Sequence, residues 1–253
     1  MNYNTILIDG DIIINKACFA AQSKGKSVST VYSIIDGLTR QIQNELMCYD
    51  YYFLIGPPKG SKTFRHRVAV TQEYKGNRKD TDRPDYLEEA REYVLKKHLA
   101  IASEDMEADD MIGIMLTEEE GRVAASVDKD LLQVPGWHYN IDKKEVLYAR
   151  DPGTLGIEQR NNGRLVLRGT GFKWFCAQML LGDDSDNIAK PTKGLGPRKI
   201  FNLLNKLDSK EKLWYAISKA YEKSSIDIDE NARLLWILRD NTTTYLDYIG
   251  EMI

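Results

Sequence analysis

Twice in this chain a short apolar run ends in two aspartates one residue apart. Thr5-Ile6-Leu7-Ile8 runs into Asp9-Gly10-Asp11, and Arg122 to Val127 runs into Asp128-Lys129-Asp130. Apolar runs of this length fit strands buried on both faces, as in a parallel sheet covered by helices. In an open parallel sheet, functional groups gather beyond the carboxyl ends of the strands. Asp-Gly also favours a turn, so for Asp9 alone the turn and ligand readings both stand. A third acidic group, Glu107-Ala108-Asp109-Asp110, precedes the apolar run Met-Ile-Gly-Ile-Met-Leu and so opens a helix. Helix starts favour acids because their N–H groups are unpaired and the helix dipole is positive there. A fourth group, Asp183-Asp184-Ser185-Asp186, follows a helical stretch ended by Gly182.

The intervening pattern supplies the rest of an α/β fold. Strands are expected at 51–55 and 99–102, with further strands at 137–141, 145–149, 157–159 and 164–167. Asn161-Asn162-Gly163 turns the last two into a hairpin. Helices are expected at 12–21 and from Ser27–Ser29 through Leu46, where Val31, Ile34, Ile35, Leu38 and Ile42 keep a 3.6 period. Another spans 85–99, with Tyr86, Leu87, Ala90, Tyr93, Val94 and Leu95 inward. After Phe172 the chain reads as helical at 172–181, 198–207, 210–222 and 229–239, then irregular or extended at 241–253. Gly194-Leu195-Gly196-Pro197 makes a tight turn with a proline at the first helical position.

Cationic residues are uneven. Net charge is −3, yet residues 59–83 hold Lys59, Lys62, Arg65, Arg67, Lys75, Arg78, Lys79 and Arg83 against Glu73, Asp80 and Asp82. Binding to a polyanion depends on clustered charge and not on the sum. Tyr74 beside these cations suits phosphate contact and stacking. Arg198 and Lys199 flank a helix start that can hold a phosphate.

Four carboxylate clusters, three of them at expected sheet-edge positions, would repel one another unless cations share the space. Carboxylate oxygens suit Mg²⁺ or Mn²⁺ and not zinc, and the three histidines are scattered. Capping explains one cluster but not four. Two divalent ions at such acids would support phosphodiester hydrolysis. The chain has no Walker motif, no dinucleotide fingerprint and no Ser or Cys nucleophile constellation. No run approaches the ~20 apolar residues of a membrane span. The three widely spaced cysteines, and a start unlike a signal peptide, read as a reduced cytosolic protein.

In this order, Ile8-Asp9-Gly10-Asp11, Tyr74-Lys75-Gly76-Asn77-Arg78, Glu107-Ala-Asp-Asp110, Ser126-Val-Asp-Lys-Asp130, Gly182-Asp-Asp-Ser-Asp-Asn187 and Gly194-Leu-Gly196 resemble the signatures of the 5′-nuclease family. That family comprises flap endonucleases and 5′–3′ exonucleases, and the chain looks most like a standalone phage-type member. The resemblance implies an α/β, PIN-like (Rossmann-like), parallel-dominated sheet flanked by helices. A C-terminal helix–three-turn–helix DNA-binding subdomain follows from it too. Residues 1–170 would form the catalytic domain, with a helical arch at about 79–98, and residues 171–253 the DNA-binding part.

It also implies roles. Asp9, Glu107, Asp109, Asp110 and Asp128 match metal ligands on one side, and Asp130, Asp183 and Asp186 on the other. Lys75 and Arg78 match catalytic cations. Lys59, Lys62, Arg65, Tyr74, Lys79, Lys193, Gly194, Gly196, Arg198 and Lys199 would contact DNA. Asp11 and Asp184 are extra acids. Pro58 stands where the family often has an aspartate, leaving that place to Asp11 or a water. The implied cofactors are two Mg²⁺ ions, or Mn²⁺, with K⁺ at the helix–three-turn–helix. The expected activity is a metal-dependent 5′–3′ exonuclease or flap endonuclease. It would cleave DNA near 5′ ends to leave 5′-phosphate and 3′-hydroxyl, in replication or repair. The partners would be flaps, nicks and RNA–DNA hybrids. A monomer in the cytoplasm, the host's if phage-encoded, completes the expectation. The rival reading is a non-catalytic structure-specific DNA-binding protein on the same fold.

Overall fold

A computed structural model describes residues 2–58, 60–78, 83–240 and 244–250; the side chain of Arg78 is outside the description. The chain divides into two compact units. The first comprises residues 1–63, 81–127 and 136–148; the second comprises 64–80, 128–135 and 149–253.

The first unit begins with β1 (Thr5–Asp9), α1 (Gly10–Gln22), α2 (Val28–Leu46) and β2 (Tyr51–Ile55). The second unit contributes α3 (Phe64–Val68). The first resumes with α4 (Leu87–Lys97), β3 (Ala100–Ala102), α5 (Ala108–Glu118), β4 (Arg122–Ser126), β5 (Gly136–Asn140) and β6 (Glu145–Ala149). Six strands form one sheet in the order β3-β2-β1-β4-β5-β6. The β1–β2, β1–β4, β2–β3 and β4–β5 pairs are parallel.

Ile6, Leu7 and Ile8 are wholly buried, which is why β1 reads as a continuous apolar run. Ile6, Ile8, Phe53, Ile55, Val123 and Ala125 share one core with α1, α2 and α4. Their strand neighbours Leu7, Leu54 and Ala124 are also buried and, by the two-residue alternation, point the other way. There α5 lies against β1, β2 and β4.

The second unit continues with β7 (Leu155–Gln159) and β8 (Leu165–Gly169), an antiparallel hairpin. The helices α6 (Gly171–Leu181), α7 (Pro197–Leu204), α8 (Lys210–Tyr221), α9 (Ile228–Leu235) and α10 (Tyr245–Gly250) follow. Residues Gly171 through Leu180 of α6 are all buried, so this helix is covered on every side, its Lys173 and Gln178 paired with Asn205 O and Asp130. Phe175 and Trp236 meet edge to face with ring centroids 5.0 Å apart.

Three expectations are corrected. The helix expected over 229–239 stops at Leu235. Beyond it Ile237 N donates to Gln133 Oε1 and the Arg239 guanidinium to Gln133 O, so partners outside the helix take over. The segment expected to be extended contains α10. Its start is a capping pair: Thr244 N and Oγ1 both donate to Asp247 Oδ2, each at 2.8 Å. Leu95, expected inward, is 42% exposed. The arch segment is described only from residue 83, and residues 79–82 lie outside the described residues.

All three cysteines are buried and free: Cys18 and Cys48 in the first unit, Cys176 in the second. Among the described residues no helix is long and apolar enough to cross a membrane.

Candidate functional site

In the first unit, acids collect at the carboxyl ends of the strands. Asp9 is the last residue of β1 and is 3% exposed. Its Oδ1 accepts from Ile12 N at 3.1 Å, capping α1, and its Oδ2 accepts from Ser126 Oγ at 2.7 Å. Ser126 ends β4, the strand beside β1, so two neighbouring strands fix one carboxylate. Asp11, in the first turn of α1, accepts from Gly56 N at 3.0 Å. Glu107 caps α5, with Asp109 and Asp110 in its first turn. The Asp110 carboxylate is fully buried and accepts from Glu107 N at 3.3 Å. Capping and ligand roles are therefore compatible here, because the capping bonds hold the acids in place.

The second unit holds the other acids. Asp128 Oδ1 accepts from Asp130 N at 2.8 Å, and Asp130 Oδ1 accepts from Gln178 Nε2 at 2.8 Å. Gln178 is steadied by Gln133 at 3.2 Å. Burial pushes the Asp130 carboxyl up to about 7, helped by the charges of Asp128 and Asp183 and opposed by Lys129. Asp183 Oδ1 accepts from Ser185 N and Asp186 N at 2.7 and 3.3 Å, which shapes the 183–188 loop. Burial and two neighbouring carboxylates oppose ionisation of Asp130, and a cation placed there would lower that cost.

The basic segment is strapped to that loop. Lys75 N donates to Asp186 O at 3.0 Å, Tyr74 Oη to Asp186 Oδ2 at 3.1 Å, and Asn187 Nδ2 to Glu73 O at 2.9 Å. Asn77 Nδ2 also bonds Asp184 O. Lys75 adopts φ of 56° within this strap. The sequence thus brings Lys75, Asp183 and Asp186 into one neighbourhood. Sequence reasoning missed Ser126, Gln178, Asn77 and Asn187 as the groups that hold these side chains. Ser126, Asn77 and Asn187 lie inside the family-like motifs, which is the signal that could have found them; Gln178 has none.

Two residues expected at a DNA surface are corrected. Arg65 is 3% exposed; its Nε donates to Leu234 O at 3.0 Å and its NH2 to Trp236 O at 2.7 Å. Tyr74 is also 3% exposed, with its ring against His66 at 5.2 Å. Both belong to the interior of the second unit, so neither offers a face for phosphate or base. Lys62, Lys193, Gly194, Arg198 and Lys199 are exposed, and Gly196 is half-buried as the cap of α7. Lys199 Nζ reaches Gly194 O at 3.2 Å. Lys59 and Lys79 lie outside the described residues, and Arg78 closes the short turn Gly76–Arg78.

Among the described residues no three His, Cys, Asp or Glu side chains stand together closely enough to hold a metal ion. Several of the carboxylates are instead engaged by N–H and O–H donors. The donor set fits a hard divalent ion all the same: it is all carboxylate oxygen, and the crowding around Asp130 favours positive charge.

A helix-flanked, mostly parallel sheet with acids at its strand ends defines the PIN-like class of α/β folds. The solved structure of the phage T5 5′-exonuclease with divalent zinc ions bound has this fold. It is 18% identical, covers 92% of this chain and 89% of its own, and superposes with a TM-score of 0.62. A bacteriophage T5 flap endonuclease in complex with DNA and metal ions covers 87% of this chain and 89% of its own, at 18% identity and a TM-score of 0.59. At such identities the likeness is one of fold. The 5′-3′ exonuclease N-terminal resolvase-like domain matches residues 4–151, and the chain belongs to that 5′-nuclease family. The flap endonuclease Xni of Shewanella halifaxensis (strain HAW-EB4) is 28% identical over 174 residues, 66% of each chain.

Proposed function

We propose that this protein is a divalent-metal-dependent 5′ nuclease that hydrolyses DNA near free 5′ ends, flaps and nicks, leaving 5′-phosphate and 3′-hydroxyl. The observation that carries the reading is the group Asp128, Asp130 and Asp183, in which burial first, and then the two neighbouring charges, raise the Asp130 carboxyl. Family membership through residues 4–151 supports it.

Asp9, Glu107, Asp109 and Asp110, with Asp128 nearby, would hold one Mg²⁺ or Mn²⁺, and Asp130, Asp183 and Asp186 a second. Bound divalent ions at such acids activate water and neutralise charge on the leaving oxygen. The chain's own groups do the rest. Ser126 and Gln178 keep two of the carboxylates aimed. Lys75, whose backbone is strapped to Asp186, would bring a positive charge to the scissile phosphate, and Arg78 would do the same. Lys62, Lys193, Arg198 and Lys199 would bind backbone phosphates, with residues 171–253 gripping duplex and the segment around 83–98 receiving the 5′ end. The turn at Gly194–Gly196 would take a phosphate, and K⁺ would bind in the same region. RNA–DNA hybrids, replication or repair, a monomeric state and the cytoplasm complete the proposal.

The test uses end-labelled flap, nicked and hybrid substrates side by side, with Mg²⁺ or with EDTA. Cleavage from the 5′ side with Mg²⁺ alone is the expected result. Asp128→Ala combined with Asp130→Ala should lower cleavage by at least 10³-fold, an order of magnitude typical of losing electrostatic stabilisation, with DNA binding kept. Wild-type cleavage by the double variant sinks the assignment. Metal-independent binding with no product supports the non-catalytic reading. Binding itself should weaken steeply with salt, because phosphate contacts supply the grip.

A further inference from the structure

Asp11 is an acid of the first unit to which the proposed chemistry gives no part, yet its carboxylate is engaged by the backbone at the end of β2. It lies in the first turn of α1, and its own carbonyl accepts from Asn15 Nδ2 at 2.7 Å. Its Oδ2 accepts from the Gly56 amide at 3.0 Å. Gly56 directly follows β2. A Cβ built there would lie 2.8 Å from Asp11 Oδ2, 3.4 Å from Ala108 N and 3.8 Å from Glu107 Cα. One turn of α1, the end of β2 and the start of α5 therefore meet at a single glycine, where an added Cβ would crowd the Asp11 carboxylate and touch the first residues of α5. Gly10 shows the same closeness one residue earlier: a Cβ there would lie 2.8 Å from both Leu54 O and Ile55 Cγ1.

We propose that Asp11 is a positioning residue. Its carboxylate clamps the end of β2 to α1, and the bare backbone of Gly56 then seats the first residues of α5, fixing where Glu107, Asp109 and Asp110 stand. This rests on the reading of those acids as ion ligands. The physical reason is local. The Gly56 N–H lies beyond the last β2 ladder pair, and an unsatisfied amide beside a buried helix start would be costly. A carboxylate oxygen satisfies it with a charge-assisted bond. The bond needs an acceptor oxygen more than it needs the charge, so asparagine can take its place.

The test uses the full chain, stripped of ions, and reads Mn²⁺ binding by electron paramagnetic resonance with no DNA present. Hydrogen exchange at residues 56 and 103–110 is followed alongside. For Asp11→Ala the expected result is about tenfold weaker Mn²⁺ binding at one class of site and about tenfold faster exchange in both segments. Asp11→Asn should stay within about threefold of wild type in both readouts, and the Mn²⁺ concentration giving half-maximal cleavage should follow the same order. If Asp11→Ala does not fold, Asp11→Ser serves instead, since its hydroxyl stops one bond short of the amide. Wild-type Mn²⁺ binding and exchange in the alanine variant overturn the proposal. So does an asparagine variant as impaired as the alanine one, because the charge and not the bond would then matter. Absence of Mn²⁺ binding in the wild-type chain overturns the ion-ligand reading itself, and the two failures are told apart by which protein fails.

Discussion

Asp130 titrates near neutrality because burial and the charges of Asp128 and Asp183 all resist its ionisation. Its ordinary value is 3.8 and its folded value about 7. The folded state thus holds a proton that the unfolded state has released. The stabilisation is fully present below pH ~4 and is lost as pH rises through ~7. In EDTA, thermal stability is expected to fall between pH 5 and pH 8, and Asp130→Asn should flatten that slope. At pH 8 the asparagine variant should be more stable by up to about 4 kcal/mol, the span from 3.8 to about 7 taken at about 1.4 kcal/mol per pH unit. Calorimetry at both pH values checks this, and equal slopes in the two proteins count against it. The clustering that makes Asp130 sensitive was legible in the sequence, since acids spaced one apart at a strand end leave few alternatives. The burial of Arg65 and Tyr74 was not. Both sit in a segment whose composition reads as a charged loop, and their partners, Leu234 O, Trp236 O and Asp186, lie more than a hundred residues away.

Among the elements, α3 shows how a short helix depends on one side chain. Arg65 holds it to the end of α9 through two carbonyls that would otherwise face the core unpaired. Arg65→Met keeps the apolar stem and removes both donors. It is expected to destabilise the protein by about 3 kcal/mol, the scale of orphaned buried acceptors, read by urea denaturation. A change under about 0.5 kcal/mol would show that water replaces the guanidinium. The strands and the long helices were readable because their apolar periods are set by their own residues. The ends of α9 and α10 were not read correctly, for opposite reasons. Residues 236–239 have strong helical composition but are drawn off by Gln133. Residues 245–250 have weak composition but are started by Thr244 and Asp247; Thr-x-x-Asp is the sequence signal that marks this start.

At the scale of the whole molecule, neither unit is a continuous stretch of chain. Glu230, only 7% exposed, is satisfied by Val70 N and Thr71 N at 2.8 Å each. Gln133 is likewise committed to residues 235–239. A fragment of residues 149–253 therefore lacks the partners of its own buried polar groups. It is expected to remain unfolded by circular dichroism, whereas the full chain folds; a cooperative melt of the fragment alone would contradict the division. The alternation of strand and helix made the first unit's architecture legible. This interleaving was not, because it depends on which distant carbonyls and amides each loop satisfies.

The three buried thiols turn that division into something that can be counted. Burial raises the Cys18 thiol to about 11 and holds the Cys176 thiol well above its ordinary range, so both resist alkylation while folded. Cys18 and Cys48 belong to the first unit and Cys176 to the second. A labelling reagent and a mass spectrometer would therefore see the chain open in twos or in ones. The chain carries its own gauge of which half has let go.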